Sequence, residues 1–69
     1  MEREGVSSST VLSVGYDSGS ETLEVEFKSG CIYQYYNVPD AVYLAFMESE
    51  SKGKFLHAYI KPAYSCSRV

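Results

Sequence analysis

The chain has no tryptophan, one histidine, two cysteines and two prolines. Each shortage removes a class of chemistry. Neither Cys31 nor Cys66 has a second thiol nearby at metal-ligand spacing, and His57 stands alone, so the sequence offers no metal site. One disulfide between the two cysteines is the most the chain could form. Cations are also scarce. Six Lys and Arg face nine Asp and Glu, giving a net charge of −3. A domain that grips a duplex through its phosphates carries a basic excess, so duplex DNA is an unsuitable partner. The longest apolar run is Ala41 to Met47, far short of the ~20 residues that span a bilayer. The start, Met1-Glu2-Arg3-Glu4-Gly5, lacks the basic-then-apolar order of a secretory signal. The expected setting is a reducing cytoplasm, with no membrane contact.

Two things are plentiful. Apolar residues make up 45% of the chain, which suits a folded domain, and seven of the 69 residues are tyrosine. Tyrosine combines a flat apolar body with a polar tip, and it is enriched at interfaces and ligand sites. A chain of this length makes one domain, small enough for a partner subunit to help its stability.

The expected organisation is a flexible N-terminus over residues 1–9 and one domain over 10–69. Three strands are predicted. The first runs from Thr10 to Asp17, with Leu12, Val14 and Tyr16 on one face and Val11, Ser13 and Gly15 on the other. Asp17-Ser18-Gly19-Ser20 marks a turn. The second runs from Thr22 to Lys28, where Leu23, Val25 and Phe27 alternate with Glu24 and Glu26. The third runs from Cys31 to Asn37. A three-residue loop, Lys28-Ser29-Gly30, would place Gly30 where φ > 0 is needed. That loop pairs Phe27 with Cys31, Val25 with Tyr33 and Leu23 with Tyr35. The tyrosines then share the apolar face. A two-residue loop would turn them to the glutamate face, but it gives the apolar residues no common side.

Pro39-Asp40 suits a helix start, and the first helix should run to about Glu48. It is apolar on every side, so the face turned from the sheet must meet the second helix or another subunit. Ser51 is the predicted N-cap of a second helix, from about Lys52 to Ile60. Phe55, Leu56, Tyr59 and Ile60 form its apolar face, and Pro62 ends it. The tail from Ala63 to Val69 is expected to be extended. The predicted class is therefore α+β, a three-stranded antiparallel β-meander followed by two short α-helices packed on one face.

The ordered set Gly15-Tyr16-Asp17, Leu23-x-Val25-x-Phe27, Gly30, Tyr33-x-Tyr35, Val38-Pro39, Ser51-x-Gly53, Ile60-Lys61 and Tyr64 resembles the KTSC domain family. That family is named for the C-terminal domain of some lysyl-tRNA synthetases, and it also occurs as small stand-alone proteins in bacteria and their phages. The resemblance covers residues 8–69, and its best marker is Tyr33-Gln34-Tyr35. It implies a stand-alone member, no established activity and a supposed RNA-binding role.

The residues themselves suggest grip rather than reaction. Tyr33, Tyr35 and Tyr36 could stack on a nucleobase; the plainer account of Tyr33 and Tyr35 is core. Ser51, Lys52, Gly53 and Lys54 open a helix in a way that suits an anionic group, or else they are a solvated helix start. Lys61 extends this basic patch, and Tyr64 completes the family pattern. His57 has no nucleophile or carboxylate beside it in the sequence, so it reads as a rim residue at most. The expected function is a non-catalytic module without a cofactor. It would hold a nucleotide-like small molecule, in the manner of a phage-type sequestering protein, or an exposed RNA base or end. The alternative is a protein-interaction or homo-oligomer module that joins copies through Tyr43, Leu44 and Met47.

Overall fold

The alternation of Leu23, Val25 and Phe27 with Glu24 and Glu26 builds the middle of the fold. In the computed structural model, which describes all 69 residues, this stretch is strand β3 (Thr22–Phe27). It lies between β2 (Val11–Asp17) and β4 (Ile32–Tyr35). Leu23 pairs with Tyr35 and Val25 with Tyr33, and the Phe27 amide donates to the Cys31 carbonyl at 2.9 Å. That is the register of the three-residue loop. Gly30 takes φ +97° there, a conformation that costs any side chain dearly.

The sheet has five strands rather than three. β1 (Glu4–Gly5) pairs with β2, and β5 (Cys66–Arg68) pairs with β4, all antiparallel and in chain order. Residues 1–9, expected to be flexible, thus include an edge strand. The extended tail supplies the other edge. Both additions are short and exposed, and neither carries an alternating apolar pattern. Backbone pairing recruits both, and beside β1 the Arg3 side chain adds contacts to the sheet.

The expected faces of the first strand need one correction. Val11 pairs with Phe27 and Ser13 with Glu26, so Leu12 is an extra residue, a β-bulge. The bulge resets the alternation. Val11 and Val14 both enter the core, while Leu12 is exposed. Tyr16 stays on the core side, packed against the buried cluster.

Helix α1 (Asp40–Glu48) follows Pro39, and α2 (Lys52–Phe55) follows Ser51, whose hydroxyl accepts from the Lys54 amide. α2 continues as a π-helical turn (Leu56–Ile60), in which the Lys61 amide reaches back to the Leu56 carbonyl at 2.8 Å. Nine residues form the core: Val11, Val14, Leu23, Val25 and Tyr35 from the sheet, then Val38, Phe46, Leu56 and Ile60. α1 does not bury all round. Phe46 is its only fully buried residue, Val42, Tyr43 and Met47 pack partly on the core, and Ala41, Leu44 and Ala45 face outward. Of the three residues expected at a subunit contact, only Leu44 is strongly exposed, at 56%. The Tyr43 ring stacks on Tyr16, with centroids 4.4 Å apart and planes within 7°.

The opposite face of the sheet has no helix over it. Arg3 lies on it, ion-paired with Glu24 and Glu26 and donating from Nε to the Ser13 hydroxyl at 3.1 Å. The Ser13 hydroxyl donates to Glu26 at 2.8 Å, and the Gln34 amide donates to Glu24 at 2.9 Å. The Tyr36 hydroxyl donates to the Gln34 carbonyl oxygen at 3.3 Å. Glu24 is buried within this row. The Gln34 amide, and then Arg3, hold its carboxyl below the usual carboxylate value, against the opposing effect of burial.

Candidate functional site

Lys54, His57 and Lys61 are spaced three and four residues apart along the second helical segment, which puts them on one face. That face forms one wall of a groove of about 660 Å³. Ser51 and Gly53 complete the wall, Phe27 and Leu56 supply apolar floor, and Ser9 and Thr10 form the facing wall. Gly53 lets the walls meet closely: a Cβ there would stand 3.1 Å from the Thr10 hydroxyl oxygen. Thr10 is fixed in turn by two backbone bonds. Its amide donates to the Ser8 hydroxyl at 3.2 Å, and its carbonyl accepts from the Lys28 amide at 2.9 Å.

The groove is cationic in an acidic chain. Both ion pairs of the molecule involve Arg3, on the other side of the sheet. Lys54, His57 and Lys61 therefore have no carboxylate partner. The Lys61 ammonium sits 6.0 Å from the centre of the Phe27 ring, within reach of a cation–π attraction. The edge of Phe27 is held by Tyr33 in a T-shaped contact at 5.8 Å. His57 is exposed and has no oriented hydrogen-bond partner. The arrangement can hold a compact anion, with an apolar surface beneath it.

Half of the sequence-predicted site residues meet here, namely Ser51, Gly53, Lys54, His57 and Lys61. The others lie elsewhere. Tyr35 is fully buried, and burial, with Cys66 and Tyr33 nearby, raises its hydroxyl to about 12. Tyr33 supports Phe27 from the core side, and Tyr64 packs on the core. Tyr36 belongs to the hydrogen-bonded row on the helix-free face. The Lys52 ammonium donates to the Ser49 carbonyl at 2.8 Å, away from the groove. Five groove residues, Ser9, Thr10, Phe27, Leu56 and Ala58, were not singled out from the sequence as site residues. Phe27 and Leu56 read as ordinary core, Ser9 as the end of a flexible start, and Thr10 as the first residue of a strand.

The KTSC domain model matches residues 7–64. This chain belongs to the KTSC domain family. An uncharacterized protein of Stutzerimonas stutzeri is 41% identical over 64 residues, covering 93% of this chain and 90% of that protein. A lysine–tRNA ligase of Trichormus variabilis is 41% identical over 54 residues, and this KTSC domain corresponds to 10% of its length. The crystal structure of a KTSC domain protein from Yersinia pestis superposes with a TM-score of 0.92 at 40% identity, covering 99% of this chain and 96% of that one. In this KTSC domain the Tyr33-Gln34-Tyr35 motif splits by face. Its tyrosines serve the core side, and Gln34 serves the hydrogen-bonded row on the other.

Proposed function

We propose that this KTSC domain is a non-catalytic binding module for a compact, anionic, nucleotide-like ligand, held in the groove between the second helical segment and the Ser9–Thr10 wall. One observation carries the reading: Lys54, His57 and Lys61 converge without acidic partners beside Phe27, in a chain whose net charge is −3. Lys54 and Lys61 take the anionic group, and the Phe27 floor takes the flat part of the ligand. The ligand is a free nucleotide-derived molecule or an RNA end, and holding it is the whole action, in a reducing cytoplasm where Cys31 and Cys66 stay as thiols. Calorimetry against mononucleotides, dinucleotides and short RNAs tests this. At least one should bind, and Lys54→Ala and Lys61→Ala should each weaken it about ten-fold, the worth of one lost charged hydrogen bond. Absence of binding across the panel by a folded sample removes the proposal.

A second reading rests on α1. Its outward face, Ala41, Leu44 and Ala45, is apolar and exposed, and a homo-oligomer would cover it. Light scattering that finds only monomer at high concentration rejects this reading and leaves the groove untouched.

A further inference from the structure

The helix-free face of the sheet is a finished receptor, and its present occupant is the chain's own first residues. Every side chain that meets the Arg3 guanidinium comes from a strand: Ser13 from β2, Glu24 and Glu26 from β3, with Gln34 of β4 bracing Glu24. The backbone of the arm crosses β2 over Gly15. A Cβ at Gly15 would lie 2.5 Å from the Glu2 carbonyl oxygen, so this close approach exists only because the strand has glycine there. Polar groups on rigid elements, aimed at one guanidinium and paired with a slot for crossing backbone, are the parts of a peptide site.

The arm fills this receptor poorly. β1 pairs only Glu4 with Val14 and Gly5 with Ser13, whereas β2 runs on to Asp17. In sequence, Glu2 and Glu4 flank the arm's one arginine, and both are like in sign to the Glu24 and Glu26 carboxylates that it meets. A segment whose arginine is flanked by neutral or basic residues matches the charge better. We infer that this face is a docking surface for an extended, arginine-bearing segment of a protein partner, laid across β2 at Gly15, and that residues 1–5 occupy the surface until such a segment displaces them. The paired acids make the face hostile to RNA, so the surface is separate from the groove in position and in chemistry.

The test uses a synthetic hexapeptide of residues 1–6 with serine at the two glutamate positions, and a second peptide that also has glutamine in place of arginine. Each is titrated into the full chain and into its full-length Arg3→Ala variant, followed by calorimetry and by the amide resonance of Gly15. The arginine peptide should bind the variant at least about ten-fold more tightly than the unmodified chain, because the tethered arm competes at high effective concentration. The glutamine peptide should bind at least about ten-fold more weakly, as expected for a lost charge-assisted contact. Adding Glu24→Gln or Gly15→Ala to the variant should abolish binding. The unmodified chain gives an independent reading. Excess arginine peptide should speed hydrogen exchange at the Val6 amide, which bonds to the Leu12 carbonyl at 3.2 Å while the arm is docked. No peptide binding to a folded variant and no change in Val6 exchange would overturn the inference. So would equal binding of the glutamine peptide, or a dimer in which a second copy's arm fills the face.

Discussion

Two tyrosine hydroxyls are held in their neutral form by their surroundings. Tyr16 is pushed up to about 12, by burial first and then by the Asp40 carboxylate; it donates to the Val38 carbonyl. Tyr35 is pushed up to about 12 by burial, then by Cys66 and Tyr33. A tyrosine in the unfolded chain ionises near 10.0. Because the folded values are higher, the stability they contribute is complete below pH 10 and is lost as pH climbs from there through about 12. Urea unfolding should therefore show a plateau at moderately alkaline pH and a fall above pH 10. Tyr16→Phe and Tyr35→Phe should each flatten that fall, and ultraviolet phenolate absorbance should rise together with unfolding. A fall that is unchanged in both variants contradicts this account.

At the level of the element, the β-bulge at Leu12 gives the sharpest comparison. Val11→Ala should cost about 2 kcal/mol, because Val11 is fully buried. Leu12→Ser should change stability by less than about 0.5 kcal/mol. Strict alternation assigns the opposite order, so chemical denaturation of the two variants decides between them. The same bulge shows where the sequence is readable. The register of β3 against β4 follows from Gly30 and from alternation on both sides of the turn, and the residues announce it. Leu12 announces nothing, because an inserted residue leaves its mark on the partner strand's pairing rather than on its own neighbours. β1 and β5 are equally silent, since Glu4-Gly5 and Cys66-Ser67-Arg68 join by backbone alone. In the groove, Ser51, Gly53, Lys54, His57 and Lys61 lie on one continuous helical segment and are legible together. Ser9, Thr10 and Phe27 reach the groove only through the tertiary fold. Tyr33 and Tyr35 drew notice as an aromatic pair, yet the register that is so readable turns them inward.

At the level of the whole molecule, charge is segregated between two sides of the sheet. The acids Glu24 and Glu26 lie under Arg3 on the helix-free face, and two of the unpaired cations, Lys54 and Lys61, line the groove on the helix side. A molecule with a net charge of −3 repels a long polyanion while its local cations attract a short one. Binding at the groove should therefore depend gently on salt. With Lys54 and Lys61 in contact, the slope of log K against log salt should be about −1.4 for a single-stranded ligand. Titrations at several salt concentrations measure it. A much steeper slope would mean that a longer strand tracks over surface outside the groove.

β1 and β5 are the two outermost strands of the sheet, although Met1 itself lies back over the sheet face beside Gly15 and Gln34. Four inter-strand steps of about 4.8 Å separate them, about 19 Å in all. A covalent bridge from β1 to β5 would need at least about six extended residues to cross that width. Any shorter splice would peel away one border strand, and in doing so would uncover either the flank of β2 or that of β4.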